Sequence, residues 1–173
     1  MRAWMTMRGA GSRTGLLAQM TFTKGDHARA LSLYHDALAS LEAVGDHPEI
    51  ARVHCEMGWT ALASADARAA QAAFVRAVHE YELVGSPRGT GLALLGLAAV
   101  EAAEGRPERA VAIAAAARSL SERAGVVIVH PMDPGLAGRI EALKASIPQG
   151  TLDGLVERAS TLSPAAVLAM IAA

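Results

Sequence analysis

Two helices folded against each other are written in Met57-Gly58-Trp59-Thr60-Ala61-Leu62-Ala63-Ser64-Ala65-Asp66-Ala67-Arg68-Ala69-Ala70-Gln71-Ala72-Ala73-Phe74-Val75-Arg76-Ala77-Val78. Just upstream, Asp46-His47-Pro48-Glu49 supplies a capping residue, a proline suited to the first turn and an early acid, so the first helix runs from there to about Ser64. Asp66 opens the second. Ala70, Phe74 and Ala77, spaced by four and three, place a stripe along one face of that helix, and Val78 and Tyr81 extend it. The unit closes at Gly85, where a glycine just past a helix end takes φ > 0 without a Cβ penalty.

The same unit recurs on either side. Gly45, Gly85 and Gly125 are spaced by 40, and the offset returns in small or apolar columns: Leu17, Met57, Leu97; Ala18, Gly58, Ala98; Gly25, Ala65, Gly105; Ala30, Ala70, Ala110; Ala37, Ala77, Ala117. Three hairpins follow, over about 8–45, 46–85 and 86–125. The first turns at Gly25-Asp26, with Tyr34 in the Phe74 column; the third starts at Ser86-Pro87 and turns at Gly105-Arg106-Pro107-Glu108. Small residues at facing positions let two backbones approach closely, and a larger side chain there would overpack. Residues 1–14 are poorly patterned and read as a frayed end. After Gly125 the pattern breaks into a linker over 126–134, where residues before proline are pushed out of the helical region. Residues 135–173 then form capping helices, expected over Pro134 to Ile147, Thr151 to about Ser160, and Pro164 to Ala173 with Ser163 as N-cap. Ile140, Leu143 and Ile147 form one apolar stripe and Leu152, Leu155 and Val156 another, suited to covering the open end of a hairpin stack. The N-terminal end has no comparable cover, so self-association or docking against another chain through Leu16 to Phe22 is expected.

Composition agrees with helices. Of 173 residues, 52% are hydrophobic but only 3% aromatic, and 39 are alanine, the best helix former and a residue depleted in strands. A formal net charge of -1 lacks the basic excess that neutralising many phosphates requires, so direct nucleic-acid binding is not expected. The single cysteine, Cys55, suits a reducing compartment. Met1 to Gly15 is interrupted by Arg2, Arg8 and Arg13 and lacks a secretory core. The uncharged stretch Gly89 to Val100 stops at Glu101, short of the roughly 20 residues a membrane helix needs. A soluble cytoplasmic protein is expected.

Chemistry is sparse. The histidines at 27, 35, 47, 54, 79 and 130 lack the H-E-x-x-H spacing of a zinc site, and His54, Cys55 and Glu56, being consecutive, point about 100° apart on a helix. Cys55 shows no partner base. Gly9-Ala10-Gly11-Ser12-Arg13-Thr14-Gly15 has no phosphate-loop lysine. No catalytic residue, metal or cofactor is expected. His130 and Asp133, flanking Pro131, are the one polar pair outside the repeat logic, so the alternative to an interaction module is a small-ligand sensor or minor enzyme using the 126–134 loop.

Met57-Gly58, Ala61, Ala65-Asp66, Ala70, Phe74 and Ala77-Val78 resemble the tetratricopeptide (TPR) pattern. Leu17-Ala18, Gly25-Asp26, Ala30, Tyr34 and Ala37-Leu38 resemble it again, and Leu97-Ala98, Gly105, Ala110 and Ala117 resemble it once more. The period of 40 exceeds the family's 34. Such lengthened units, with Gly91 to Ala99, Gly105 to Ala110 and Leu162-Ser163-Pro164, are similar to the C-terminal sensor regions of large bacterial regulators of the MalT-like, LuxR-type or cyclase-linked STAND ATPase kind, from about Gly15 to Ala173. The G-x4-G-K-[ST] motif of their ATPase is missing, and the unpatterned Met1 to Ser12 fits a detached end of a larger regulator or a misplaced start site. The resemblance implies an all-α, right-handed TPR-like solenoid of about three hairpins with a C-terminal helical cap. It also implies a concave groove for a protein or peptide, lined by Gln19 and Phe22, by Arg52, Cys55, Trp59 and Leu62, and by Leu92, Leu95, Ala99 and Ala102. Trp59 is either the candidate anchor there or a residue packed in the core between units. Glu56 holds the position of the asparagine found in carboxylate-clamp TPRs.

Overall fold

The computed structural model describes residues 2–128 and 135–172, and every regular element among them is an α-helix. Two compact units, Met1–Gly85 and Ser86–Ala173, divide the chain where the second hairpin ends and the third begins.

The first unit holds α1 (Arg2–Thr23), α2 (His27–Glu42), α3 (His47–Ala63) and α4 (Ala67–Leu83). α1 pairs with α2, α3 pairs with α4, and α2 packs on α3 to join the hairpins. The apolar stripe read on α4 is its buried face: Ala70, Phe74, Ala77 and Val78 are all withdrawn from water. Between the hairpins lies a core of Ala18, Ala30, Tyr34, Leu38, Leu41, Ile50, Val53 and Met57. The helix spanning Arg2–Thr23 corrects the expectation of a frayed start, because Gly9 to Gly15 lies inside it.

The second unit holds α5 (Pro87–Ala103), α6 (Pro107–Ala124), α7 (Leu136–Ser146), α8 (Gln149–Ser160) and α9 (Pro164–Ala172). α5 and α6 form the third hairpin, and α7, α8 and α9 pack on α6. Leu155 and Val156 of α8 press on Ala112 and Ala115 of α6. The cations of α6 also hold its neighbours: Arg123 and Ser119 donate to the Ser160 carbonyl at 2.9 and 2.7 Å, and Arg109 Nη2 donates to the Met170 carbonyl at 2.8 Å. Donors placed at helix C-termini satisfy orphan carbonyls. α7 stops at Ser146 because Ile147, preceding Pro148, is extended (φ -97, ψ 133), and Pro148 then starts α8 ahead of the expected Thr151. Ser163 caps α9 as expected, accepting from Ala166 N at 3.2 Å. Of the linker, Val126 accepts from the Ser121 hydroxyl, and Ile128 rests where a Cβ on Gly91 would stand. His130, Pro131, Asp133 and Pro134 lie outside the described residues.

Hairpin turns and unit ends alternate as the repeat leads one to expect. Gly25, Gly45, Ala65, Gly85, Gly105 and Gly125 all have positive φ, between 59 and 82°, at twenty-residue intervals. At Gly45 the geometry is explicit: Gly45 N donates to Glu42 O and Asp46 N donates to Leu41 O, the paired bonds of a Schellman ending. At the first five of these positions the following residue opens the next helix. Asp26, Asp66 and Ser86 accept from Arg29 N, Ala69 N and Gly89 N at 3.2, 2.9 and 3.2 Å. One junction thus ends a helix and caps its successor.

Candidate functional site

In the first unit the expected groove residues come from α1 and α3, the leading helices of the two hairpins. α1 and α3 approach at Gly15, where a Cβ would lie 3.1 Å from Arg52 Nη2. The guanidinium is engaged from two sides of its own helix. Arg52 Nη2 meets Glu49 Oε2 at 2.8 Å, one turn back, and Nη1 meets Glu56 Oε1 at 2.6 Å, one turn on. Glu56 is only 7% exposed. Burial raises its pKa above the usual carboxylate range, and Arg52 pulls it partly back. Burial alone would lower Arg52, but its bonds to Glu49 and Glu56 hold it firmly protonated. The Tyr34 phenol, with Glu56 and Thr60 as polar neighbours, is pushed up by burial and by the Glu56 charge. Arg52 therefore neutralises a buried acid, Glu56, and a half-buried one, Glu49.

Cys55 and Trp59, expected along the groove, are interior residues at 3% and 4% exposure. The reason is steric. Gly58 has no Cβ, so the Phe74 ring enters beside it, and the Trp59 indole meets that ring edge-on with centroids 5.2 Å apart, a favoured aromatic geometry. Burial, with the Glu56 charge behind it, pushes the Cys55 thiol up to about 12, so a thiolate nucleophile is disfavoured. The accessible members of the set are Gln19, Phe22, Arg52 and Leu62, each half-buried. Phe22 stacks on His27 at 5.3 Å between centroids. In the second unit Leu92, Leu95 and Ala102 are half-buried on α5, while Ala99 is buried. The structure therefore gathers Gln19, Phe22, Arg52 and Leu62 on the leading helices of one unit and places Leu92 and Leu95 on the other.

One polar cluster escaped the sequence reading. Glu101, 1% exposed, accepts from Arg106 Nε at 2.6 Å and Nη2 at 3.2 Å and pairs with Arg109 Nε at 3.1 Å. The available signal was a substitution in the repeat: Arg106 stands where Asp26 and Asp66 cap the other hairpins. Among the described residues no group of three His, Cys, Asp or Glu side chains could hold a metal ion, and no helix is long and apolar enough to cross a membrane.

Residues 12–78 match the family model of the tetratricopeptide repeat. This span, running from α1 into α4, is a TPR region, and the chain's helical hairpins are TPR-like. No curated protein and no solved structure matches the chain.

Proposed function

We propose that this chain is a non-catalytic module that binds a protein or peptide, and that it serves in the cytoplasm as the regulatory or sensor portion of a bacterial transcriptional or signalling regulator. The carrying observation is the TPR region over residues 12–78, a repeat built for interaction, with accessible Gln19, Phe22, Arg52 and Leu62 on its leading helices. Because Arg52 is already paired with Glu49 and Glu56, capture of a free C-terminal carboxylate would have to break two ion pairs. An apolar internal segment meeting Phe22 and Leu62 fits better. The regulatory role draws on the resemblance of Gly91 to Ala110 and Leu162-Ser163-Pro164 to the ends of bacterial regulators. The unpaired apolar surface of Leu16, Leu17 and Met20 on α1, between 49% and 58% exposed, supports pairing with a second copy through the first hairpin.

The test is crosslinking of the tagged chain to a regulator subunit encoded beside it, followed by measurement of the affinity for that partner. Phe22→Asp and Leu62→Asp should each weaken binding at least tenfold at a temperature where circular dichroism shows both variants folded; Phe22→Asp should also lower the melting temperature, because Phe22 packs on the core. Equal affinity of wild type and both variants would remove the reading.

A further inference from the structure

The third hairpin holds an apolar side chain that belongs to neither of its helices. Beyond the left-handed Gly125, Val126 N donates to the Ser121 carbonyl at 3.0 Å and the Ser121 hydroxyl donates to the Val126 carbonyl. Both backbone groups of Val126 are thus fixed at the end of α6. From there the chain leaves the helix. Val126 is half-buried, Val127 is 77% exposed and Ile128 is half-buried again, the alternation of an extended segment. Ile128 is thereby turned onto α5. A Cβ on Gly91 would collide with Ile128 Cδ1, lie 3.2 Å from its Cγ1 and stand 3.8 Å from the Ala117 carbonyl oxygen of α6. The notch exists because position 91 lacks a side chain, inside a helix where alanine would be the better helix former.

We infer that Gly91 forms a pocket for a branched apolar side chain on an extended segment, and that residues 126–128 are a built-in occupant which a partner segment of the same chemistry displaces. The contact is narrow. One half-buried side chain seats in the notch, and the neighbouring Val127 stays in water. An extended chain presents every second residue to one face, so the segment that fits carries apolar residues two apart, as Val126 and Ile128 are. Leu95 follows Gly91 by one turn on the same face of α5, and it is half-buried, so a displacing segment has an apolar surface to continue over. This site lies in the second unit and uses neither Phe22 nor Leu62, so it stands or falls separately from the peptide surface proposed on the first.

The experiment uses the full chain and the peptide acetyl-Arg-Ala-Gly-Val-Val-Ile-Val-His-amide, which copies residues 123–130. The same peptide with alanine in place of isoleucine is the counterpart. Ile128→Asp should expel the strap, because a carboxylate is costly to bury and a linker position lets it turn to water. Followed by the NMR signals of the Gly91 and Ala117 amides, Ile128→Asp should bind the peptide saturably, with a dissociation constant on the order of 1 mM or tighter. The wild type should bind it at least about tenfold more weakly, since its tethered Ile128 competes at high effective concentration. The alanine peptide should bind Ile128→Asp about tenfold more weakly than the isoleucine peptide does. Ile128→Val keeps a branched side chain and should exclude the peptide as the wild type does. Gly91→Ala added to Ile128→Asp fills the notch while favouring the helix, and should abolish binding with helicity unchanged. No saturable binding by Ile128→Asp, equal affinity of that variant and the wild type, equal affinity for the two peptides, or binding that survives Gly91→Ala would each overturn the assignment.

Discussion

Gly58 of α3 and Phe74 of α4 approach so closely that a Cβ on the glycine would lie 2.7 Å from Cε1 and Cζ of the ring. Alanine is a better helix former by about 1 kcal/mol, yet here its methyl group has nowhere to go. Gly58→Ala should cost about 1 to 3 kcal/mol net, the usual range for overpacking, read as a lower urea midpoint. Ala70, fully buried, should behave alike: Ala70→Leu should lower the melting temperature more than Ala67→Leu, whose side chain is half-exposed. Equal losses would contradict the packing register.

Ala65 is the one non-glycine among the described residues with positive φ, at 59°. An L side chain in the left-handed region costs about 1 to 2 kcal/mol, and glycine returns part of that through its freer unfolded chain. Ala65→Gly should stabilise the protein by about 0.5 to 1 kcal/mol, and Gly45→Ala should destabilise it by a similar amount. Denaturant midpoints decide the signs.

Glu101 anchors the third hairpin through Arg106 and Arg109. Glu101→Gln leaves two guanidinium groups without their carboxylate. Loss of one partner of a buried pair costs about 3 to 5 kcal/mol, and the partial exposure of both arginines reduces that to about 1 to 3. The loss should persist in 1 M salt, because buried charges are poorly screened.

His54 gives the stability a pH dependence with a definite sign. Its folded pKa is lowered by burial and by Arg76, so between that value and the unfolded value of about 6.5 the unfolded chain binds more protons. Its contribution is fully present above about pH 6.5 and is lost as the pH falls toward the folded pKa. The wild type should therefore lose more stability on acidification through this window than His54→Gln does. Parallel urea-midpoint curves from pH 8 to pH 5 would show that His54 is not the group responsible.

Leu16 and Met20 sit one turn apart on α1, at 56% and 58% exposure. If this surface pairs two copies, light scattering should show concentration-dependent mass for the wild type and a monomer for the double variant Leu16→Glu, Met20→Glu. A strict monomer in the wild type at high concentration would exclude the pairing.

Much of the fold could be read from residues that act locally. Helix ends depend on neighbours within a few positions, so Gly45, Gly85, Asp66 and Ser163 announced their roles, and the Phe74 stripe followed from spacing alone. What escaped depends on contacts between elements. The column that Ala65 shares with Gly25 and Gly105 put a turn there, but that an alanine takes the left-handed conformation shows only in its φ. Trp59 could face a partner or a ring, and the missing Cβ of Gly58 together with the Phe74 ring sets which. Glu101 and Arg106 meet only because the chain reverses between them. Ile128 and Gly91 lie on separate elements with no shared local pattern, so their notch is visible only in three dimensions. Only the opening of the N-terminal helix, within residues 2–14, escaped, because its glycines argue for breakage when they are read one at a time.

The twenty-residue beat of the junctions makes the chain divisible. Any segment cut from one positive-φ residue to the next-but-one, such as 46–85, joins like to like at both seams, so copying or deleting it would lengthen or shorten the protein by a whole hairpin without inventing a new joint. Losing one residue inside a helix would instead swing everything beyond it by about 100°, turning buried alanines outward. Growth in such a molecule proceeds by doubling and excision, and frame is kept by the glycines.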